Sequence, residues 1–333
     1  MAIKDKQLTR RALLTTLAKL GIGVSLLPLS TVAQQHNQSL NPNTIAYQLK
    51  AAKFLKKTIP STGQTIHPIG MGTWITFNVG KDTVLRNERT KVLDTFFQLG
   101  GEVVDSSPMY GSAEEVLGYG LTKLKANSGN YPSSLFAATK TWTSSKSEGK
   151  QQFKDSQQLW QQARFALLQI HNLVAWQQHL PMLRELKQQG LLKYIGVTTS
   201  HGRRHRELAK IMATEPIDFV QLTYNILDRE VEQELLPLAQ DKGIAIIANR
   251  PFQGGRLMQR FEREPLPAWA TELGCDNWPQ YFLRFVISHP ALTCTIPATS
   301  KVEHMQENMS GANIMPLPNA QQRQQMIAYL NTL

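Results

Sequence analysis

The sequence predicts an α/β fold: a closed (β/α)8 TIM barrel preceded by an N-terminal β-hairpin. Three observations predict it. A unit made of a short apolar run, a loop and a helical pattern recurs between residues 69 and 298, and eight such runs are present. Strands alternating with helices imply a parallel sheet, and eight repeats favour closure over an open sheet. A chain of 333 residues with 41% hydrophobic content suits one barrel plus an extension and excludes a disordered chain.

The first 33 residues read as an export signal and not as fold. Lys4 to Arg11 is basic, and Leu13 to Leu29 is apolar but short for a membrane span and interrupted by Lys19. Thr31-Val32-Ala33 supplies the small residues of a cleavage site. Thr9-Arg10-Arg11-Ala12-Leu13-Leu14 resembles the twin-arginine motif. The resemblance implies the twin-arginine export machinery as a partner, cleavage near Ala33, no stable membrane span afterwards and a periplasmic location. An uncleaved anchor and a plain amphipathic helix are the competing readings. Residues 34–56 read as a linker, and the barrel unit as residues 57–333.

Lys57 to His67 predicts the hairpin, with Ser61-Thr62-Gly63 at its turn. The barrel runs follow: Ile69 to Ile75, Glu102 to Ser106, Leu135 to Thr141, Phe165 to His171, Tyr194 to Thr199, Phe219 to Tyr224, Ile244 to Asn249 and Thr293 to Ala298. Between them, Val92, Leu93, Phe96, Phe97 and Leu99 form a helical stripe stopped by Gly100-Gly101. Leu183 and Leu186 repeat the pattern up to Gly190, Leu235 to Ala239 up to Gly243, and Trp278 to Ile287 before Pro290. The segment from Gln152 to Ala163 is the weakest helix. Ser112 and Glu115 have the spacing of a capping box, and Phe252 to Trp278 is the expected lid.

Charge and cysteines narrow the function classes. The formal net charge is +11, and the chain stays basic once the cations of the first 33 residues are set aside. No Lys/Arg-rich run interleaved with aromatics appears, which argues for an anionic cofactor and against nucleic acid. Cys275 and Cys294 leave a disulfide open, but two cysteines make no framework and two buried thiols are the favoured reading; no metal site is predicted. His201 and His205 are four apart, but Arg203, Arg204 and Arg206 beside them repel a cation, so the stretch reads as a solvated or phosphate-facing helix start.

The strand tips carry the chemistry. Asp105 ends the second run, Tyr110 precedes the helix after it, Lys140 ends the third run and His171 the fourth. A tyrosine titrates near 10 and is a poor acid at neutral pH. A neighbouring ammonium lowers that value, and Asp105 offsets the burial of Lys140. Tyr110 then serves as proton donor to a carbonyl oxygen, and His171 as a second donor that orients it. No side chain supplies a hydride, so a nicotinamide cofactor is implied.

The sequence resembles the aldo/keto reductase family over residues 57–333. The supporting stretches are Pro68 to Trp74, Asp105 to Gly118, Thr139-Lys140, Gln169-Ile170-His171, Ile195 to Thr198, Val220 to Asn225, and Ile296 to Ser300 through Glu307-Asn308. The resemblance implies carbonyl reduction by an Asp105, Tyr110, Lys140, His171 tetrad. It also implies cofactor contacts at Gln221 (carboxamide), Thr198 and Thr199 (in place of a Ser-Asn pair), Asn249 (in place of a stacking Tyr), Ser300, Glu307 and Asn308. Gly254, Gly255 and Arg256 are candidates for the pyrophosphate. For the 2′-phosphate, Ala298 stands where the family often has Lys and His304 where it often has Arg, with Lys301 the nearest substitute; NADPH is chosen over NADH. Trp74, Met109 and Trp142 are candidate substrate contacts, with core packing as the rival reading. Two other functions fit these residues: a barrel holding NADP(H) as a structural or sensing ligand, and a non-redox barrel acting on a phosphorylated metabolite.

Overall fold

A computed structural model describes residues 55–128, 134–313 and 315–333. The expected export signal, and all but the last two residues of the expected linker, lie outside the described residues. The hairpin forms as the sequence predicts: β1 (Lys57–Thr58) and β2 (Thr65–Ile66) pair antiparallel across a turn ending at Gly63, where φ is +73°.

The barrel strands are β3 (Met71–Gly72), β4 (Val103–Asp105), β5 (Phe136–Thr141), β6 (Phe165–Ile170), β7 (Leu192–Thr198), β8 (Phe219–Thr223), β9 (Ala245–Asn249) and β10 (Leu292–Thr295). They pair in parallel in chain order. Closure comes from bridges between Ile69 and Thr295 and between Gly72 and Ala298. A Cβ at Gly72 would stand 2.8 Å from the Ile296 carbonyl oxygen, so glycine lets the first and last strands meet.

The described helices are α1 (Thr83–Gln98), α2 (Ala113–Ser128), α3 (Lys146–Trp160), α4 (Trp176–Gln188), α5 (His205–Thr214), α6 (Leu235–Lys242), α7 (Arg256–Phe261), α8 (Trp278–Ile287), α9 (Val302–Ser310) and α10 (Ala320–Leu330). The weak segment is helical because Phe153, Ser156 and Trp160 share one buried face, and Ser145 caps its start. Two expectations need correction. Ser112 and Glu115 do not cap together: the Ser112 hydroxyl accepts from Gly80 N–H at 2.8 Å and donates to Asn78, while Glu115 pairs with Arg86. The expected lid carries α7 and buries Leu257, Phe261, Ala270, Leu273 and Cys275, which makes it packed structure and not a loose flap. Both cysteines are free and buried.

Alternation along the strands sorts side chains into two layers. Val103, Phe136, Leu167, Tyr194, Phe219 and Ile247 form an inner cluster with Ile59 and Ile66 of the hairpin. Their neighbours Val104, Ala137, Leu168, Ile195, Val220 and Ile246 join the cluster shared with the helices. The hairpin seats on the N-terminal end of the barrel, where the Thr62 and Tyr194 hydroxyls are 2.6 Å apart. Two or four residues further along each strand, the same inward phase brings Asp105, Lys140, Gln169, Thr198, Gln221 and Asn249. Polar groups therefore gather at the C-terminal end, where the inner apolar layer stops.

Candidate active site

A buried ion pair anchors that end. Lys140 is fully buried, and its Nζ donates to Asp105 Oδ2 at 2.5 Å and to the Ser106 carbonyl at 2.7 Å. Asp105 Oδ1 accepts from Gln169 Nε2 at 3.1 Å and from Gln221 Nε2 at 3.0 Å. Burial at this depth is tolerable because both charges are paired and hydrogen-bonded. Behind the pair, Glu114 on α2 accepts from the hydroxyls of Thr139 at 2.6 Å and Ser156 at 3.0 Å, and from the Trp160 indole at 3.0 Å. Burial pushes its carboxyl up, and those donors oppose the rise.

Tyr110 closes a one-turn segment, Pro108–Tyr110, that Ser107 caps. Lys140 Nζ lies 5.2 Å from its ring centroid, and the His171 ring stands edge-on at 5.7 Å. Burial pushes the Tyr110 phenol above its ordinary value; Lys140 pulls it down and Asp105 adds to the rise. The ammonium thus acts in the expected direction but does not win, because desolvation of a phenolate outweighs it. The Tyr110 proton is held at neutral pH. His171 Nδ1 sits 2.9 Å from Ser107 Oγ, which already accepts the Met109 N–H at 3.2 Å. A Ser107 proton given to Nδ1 across this contact places the imidazole proton on Nε2, the tautomer that offers a donor to the cavity. Burial, then the Lys140 charge, pulls His171 down to about 3, so the ring is neutral.

Above these groups opens a cavity of about 640 Å³. Asp105, Tyr110 and His171 line it, and Lys140 lies beneath. Of the expected cofactor contacts, Thr198, Thr199, Gln221, Asn249, Gly254, Gly255, His304, Glu307 and Asn308 line it, whereas Arg256, Ser300 and Lys301 stand outside the lining. Trp74 and Met109 line it, and Trp142 does not. The Thr198 hydroxyl accepts from Asn172 N–H at 2.9 Å, but Thr199 Oγ1 is buried without a partner among the described residues. Asn249 takes no outward pose: its amide donates to the Thr199 carbonyl at 2.8 Å and accepts from the Thr223 hydroxyl at 2.8 Å.

Sequence reasoning missed Ser107, Gln169 and Arg250. Gln169 was findable, since a polar residue inside Leu-Leu-Gln-Ile at the inward phase of a strand needs a partner. Arg203 belongs to the stretch that reads as a solvated or phosphate-facing helix start, and it lines the cavity together with His201 and Arg250. Burial first, then Arg250, Arg203 and Arg256, pulls His201 down. This end of the cavity is cationic.

The model of the aldo/keto reductase family matches residues 68–326. The chain belongs to the aldo/keto reductase family. It is an oxidoreductase of the NAD(P)H-dependent, carbonyl-reducing kind. Among curated proteins it is similar to methylglyoxal reductase YeaE of Escherichia coli, 24% identical over 261 residues covering 76% of this chain and 88% of that protein. It is also similar to an NADH-specific methylglyoxal reductase of Escherichia coli, 35% identical over 92 residues, 27% of this chain and 26% of that protein. Its fold matches an aldo/keto reductase from Klebsiella pneumoniae solved with NADP and acetate. There the TM-score is 0.69 at 21% identity, over 82% of this chain and 95% of that one.

Proposed function

We propose that Tyr110 protonates the carbonyl oxygen of an aldehyde or ketone held in this cavity, with NADPH as the reductant. One observation carries the assignment. The phenol lines the cavity while its neighbours, the Lys140–Asp105 pair and neutral His171, are fixed by hydrogen bonds. The bound nicotinamide supplies the hydride. Tyr110 gives its proton as the oxygen gains charge, and buried Lys140 stabilises the phenolate left behind. His171 Nε2–H holds the same oxygen. A neutral ring suits that role, because it keeps one donor without repelling Lys140.

The residues fit the dinucleotide. Thr199 Oγ1, buried and without a partner among the described residues, and Gln221 would offer hydrogen bonds to the carboxamide, and His201, Arg203 and Arg250 would hold the phosphates. NADPH is kept over NADH as the reductant. The Klebsiella protein was solved with NADP, which supports the choice; the NADH-specific relative names the competitor.

The substrate reading follows from the cavity mouth. Trp74 and Met109 are 43% and 41% exposed there, a large apolar area for solvent to cover. Thr76 N–H donates to the Trp74 carbonyl at 2.7 Å around Ile75, whose φ is +64°. A β-branched residue rarely adopts that conformation, and here it marks the loop that presents Trp74. A carbonyl bearing an aryl or long alkyl group covers this surface better than methylglyoxal, with its single methyl, does. The test titrates NADPH, then follows its consumption with benzaldehyde and with methylglyoxal. Higher kcat/KM for benzaldehyde is expected; NADPH binding without turnover on any carbonyl refutes the assignment of Tyr110 as acid.

The location is proposed from the N-terminal motif alone: cleavage near Ala33 after twin-arginine export to the periplasm. Cell fractionation of Arg10→Lys/Arg11→Lys checks it, with retention in the cytoplasm expected. Unchanged distribution contradicts it.

A further inference from the structure

Gln169 occupies a position that packing alone does not explain. It points inward from β6, is fully buried, and its Nε2 donates to Asp105 Oδ1 at 3.1 Å. Its own Oε1 is buried with no partner among the described residues. Leucine or methionine fills similar volume without burying an orphan carbonyl, so the amide is explained by what its N–H does.

The same oxygen, Asp105 Oδ1, also accepts from Gln221 Nε2 at 3.0 Å. The two amides differ in access. Gln221 lines the cavity and Gln169 does not. Where Gln221 turns the N–H it now gives Asp105 toward a nicotinamide, it withdraws from Asp105; Gln169, outside the cavity lining, stays. Without a second donor, that withdrawal leaves a buried carboxylate oxygen bare beside Lys140, a costly state.

We propose that Gln169 is a positioning residue that keeps Asp105 Oδ1 hydrogen-bonded when Gln221 is recruited by the cofactor. Cofactor affinity is thereby tied to a side chain the cofactor does not touch. The inference rests on the reading that Gln221 holds the nicotinamide carboxamide.

A double-mutant cycle on the NADPH Kd tests it, using the full chain and the variants Gln169→Met, Gln221→Met and their combination. Gln169→Met is expected to weaken NADPH by roughly fivefold to tenfold, the effect of one lost hydrogen bond to a charged group. In the Gln221→Met background the same change is expected to alter Kd by less than about twofold, since no amide then leaves Asp105. Equal effects in both backgrounds, or none in either, overturn the proposal. A purely structural Gln169 lowers the Tm and shows no dependence on Gln221. Gln169→Leu serves as the second variant if Gln169→Met does not fold. Wild-type protein that fails to bind NADPH defeats the cofactor reading itself, whereas binding with an additive cycle defeats only this inference.

Discussion

Replacing Lys140 with methionine removes the cation that faces Asp105 at 2.5 Å and leaves a buried carboxylate between two neutral amides. Breaking a buried pair on one side costs about 3–5 kcal/mol, because the remaining charge keeps its desolvation penalty and loses its attraction. Total stability of a domain is about 5–15 kcal/mol, so Lys140→Met stays folded at low denaturant but its transition moves far down. Urea unfolding at neutral pH measures the loss as a fall in midpoint at unchanged slope. The informative comparison is Asp105→Asn/Lys140→Met, in which both charges are gone. That double variant is expected to be more stable than Lys140→Met alone, with a coupling of at least about 1–2 kcal/mol. A loss below about 1 kcal/mol in the single variant, or costs that simply add, refutes the claim that the pair is buried and mutually compensating.

Three further outcomes follow from the same geometry. Thr199→Val is expected to weaken NADPH by roughly fivefold to tenfold without lowering the Tm, because its hydroxyl has no partner to lose among the described residues; a fall in Tm contradicts the reading. Ser107→Ala removes the group 2.9 Å from His171 Nδ1, so kcat is expected to drop about tenfold with NADPH Kd unchanged; unaltered kcat removes Ser107 from the account. His171 and His67, held at about 3 and about 4, stay neutral in the folded chain where the unfolded chain binds protons near 6.5. Stability therefore falls as pH drops from about 6.5 toward 4, by roughly 1.4 kcal/mol per pH unit for each histidine. Urea midpoints at pH 7, 6 and 5 check this, and a flat series contradicts it.

The barrel was legible because strands and helices leave different periods in the sequence, and both were readable here. Trp278 to Ile287 matched its helix to the residue. Lys146 to Trp160 was harder, since its buried face is built from Phe153, Ser156 and Trp160 and includes a hydroxyl that hydropathy counts as polar. The inward phase of Asp105, Lys140 and Gln221 follows from period two once the strands are placed. Three features were not legible. The sense of the Tyr110 shift depends on how much water the ring loses, and sequence carries no measure of that. The capping box at Ser112 and Glu115 failed because Asn78, Gly80 and Arg86 from the preceding loop claimed those side chains first. Whether Arg203 faces solvent or the cavity was settled by the turn between β7 and α5, where His201 and Arg204 adopt positive φ.

The central claim is that Tyr110 supplies the proton. Tyr110→Phe keeps the ring that packs against His171 and removes only the hydroxyl. NADPH-dependent carbonyl consumption should fall by about a hundredfold to ten-thousandfold while the NADPH Kd changes less than about twofold. Turnover within threefold of wild type contradicts the claim.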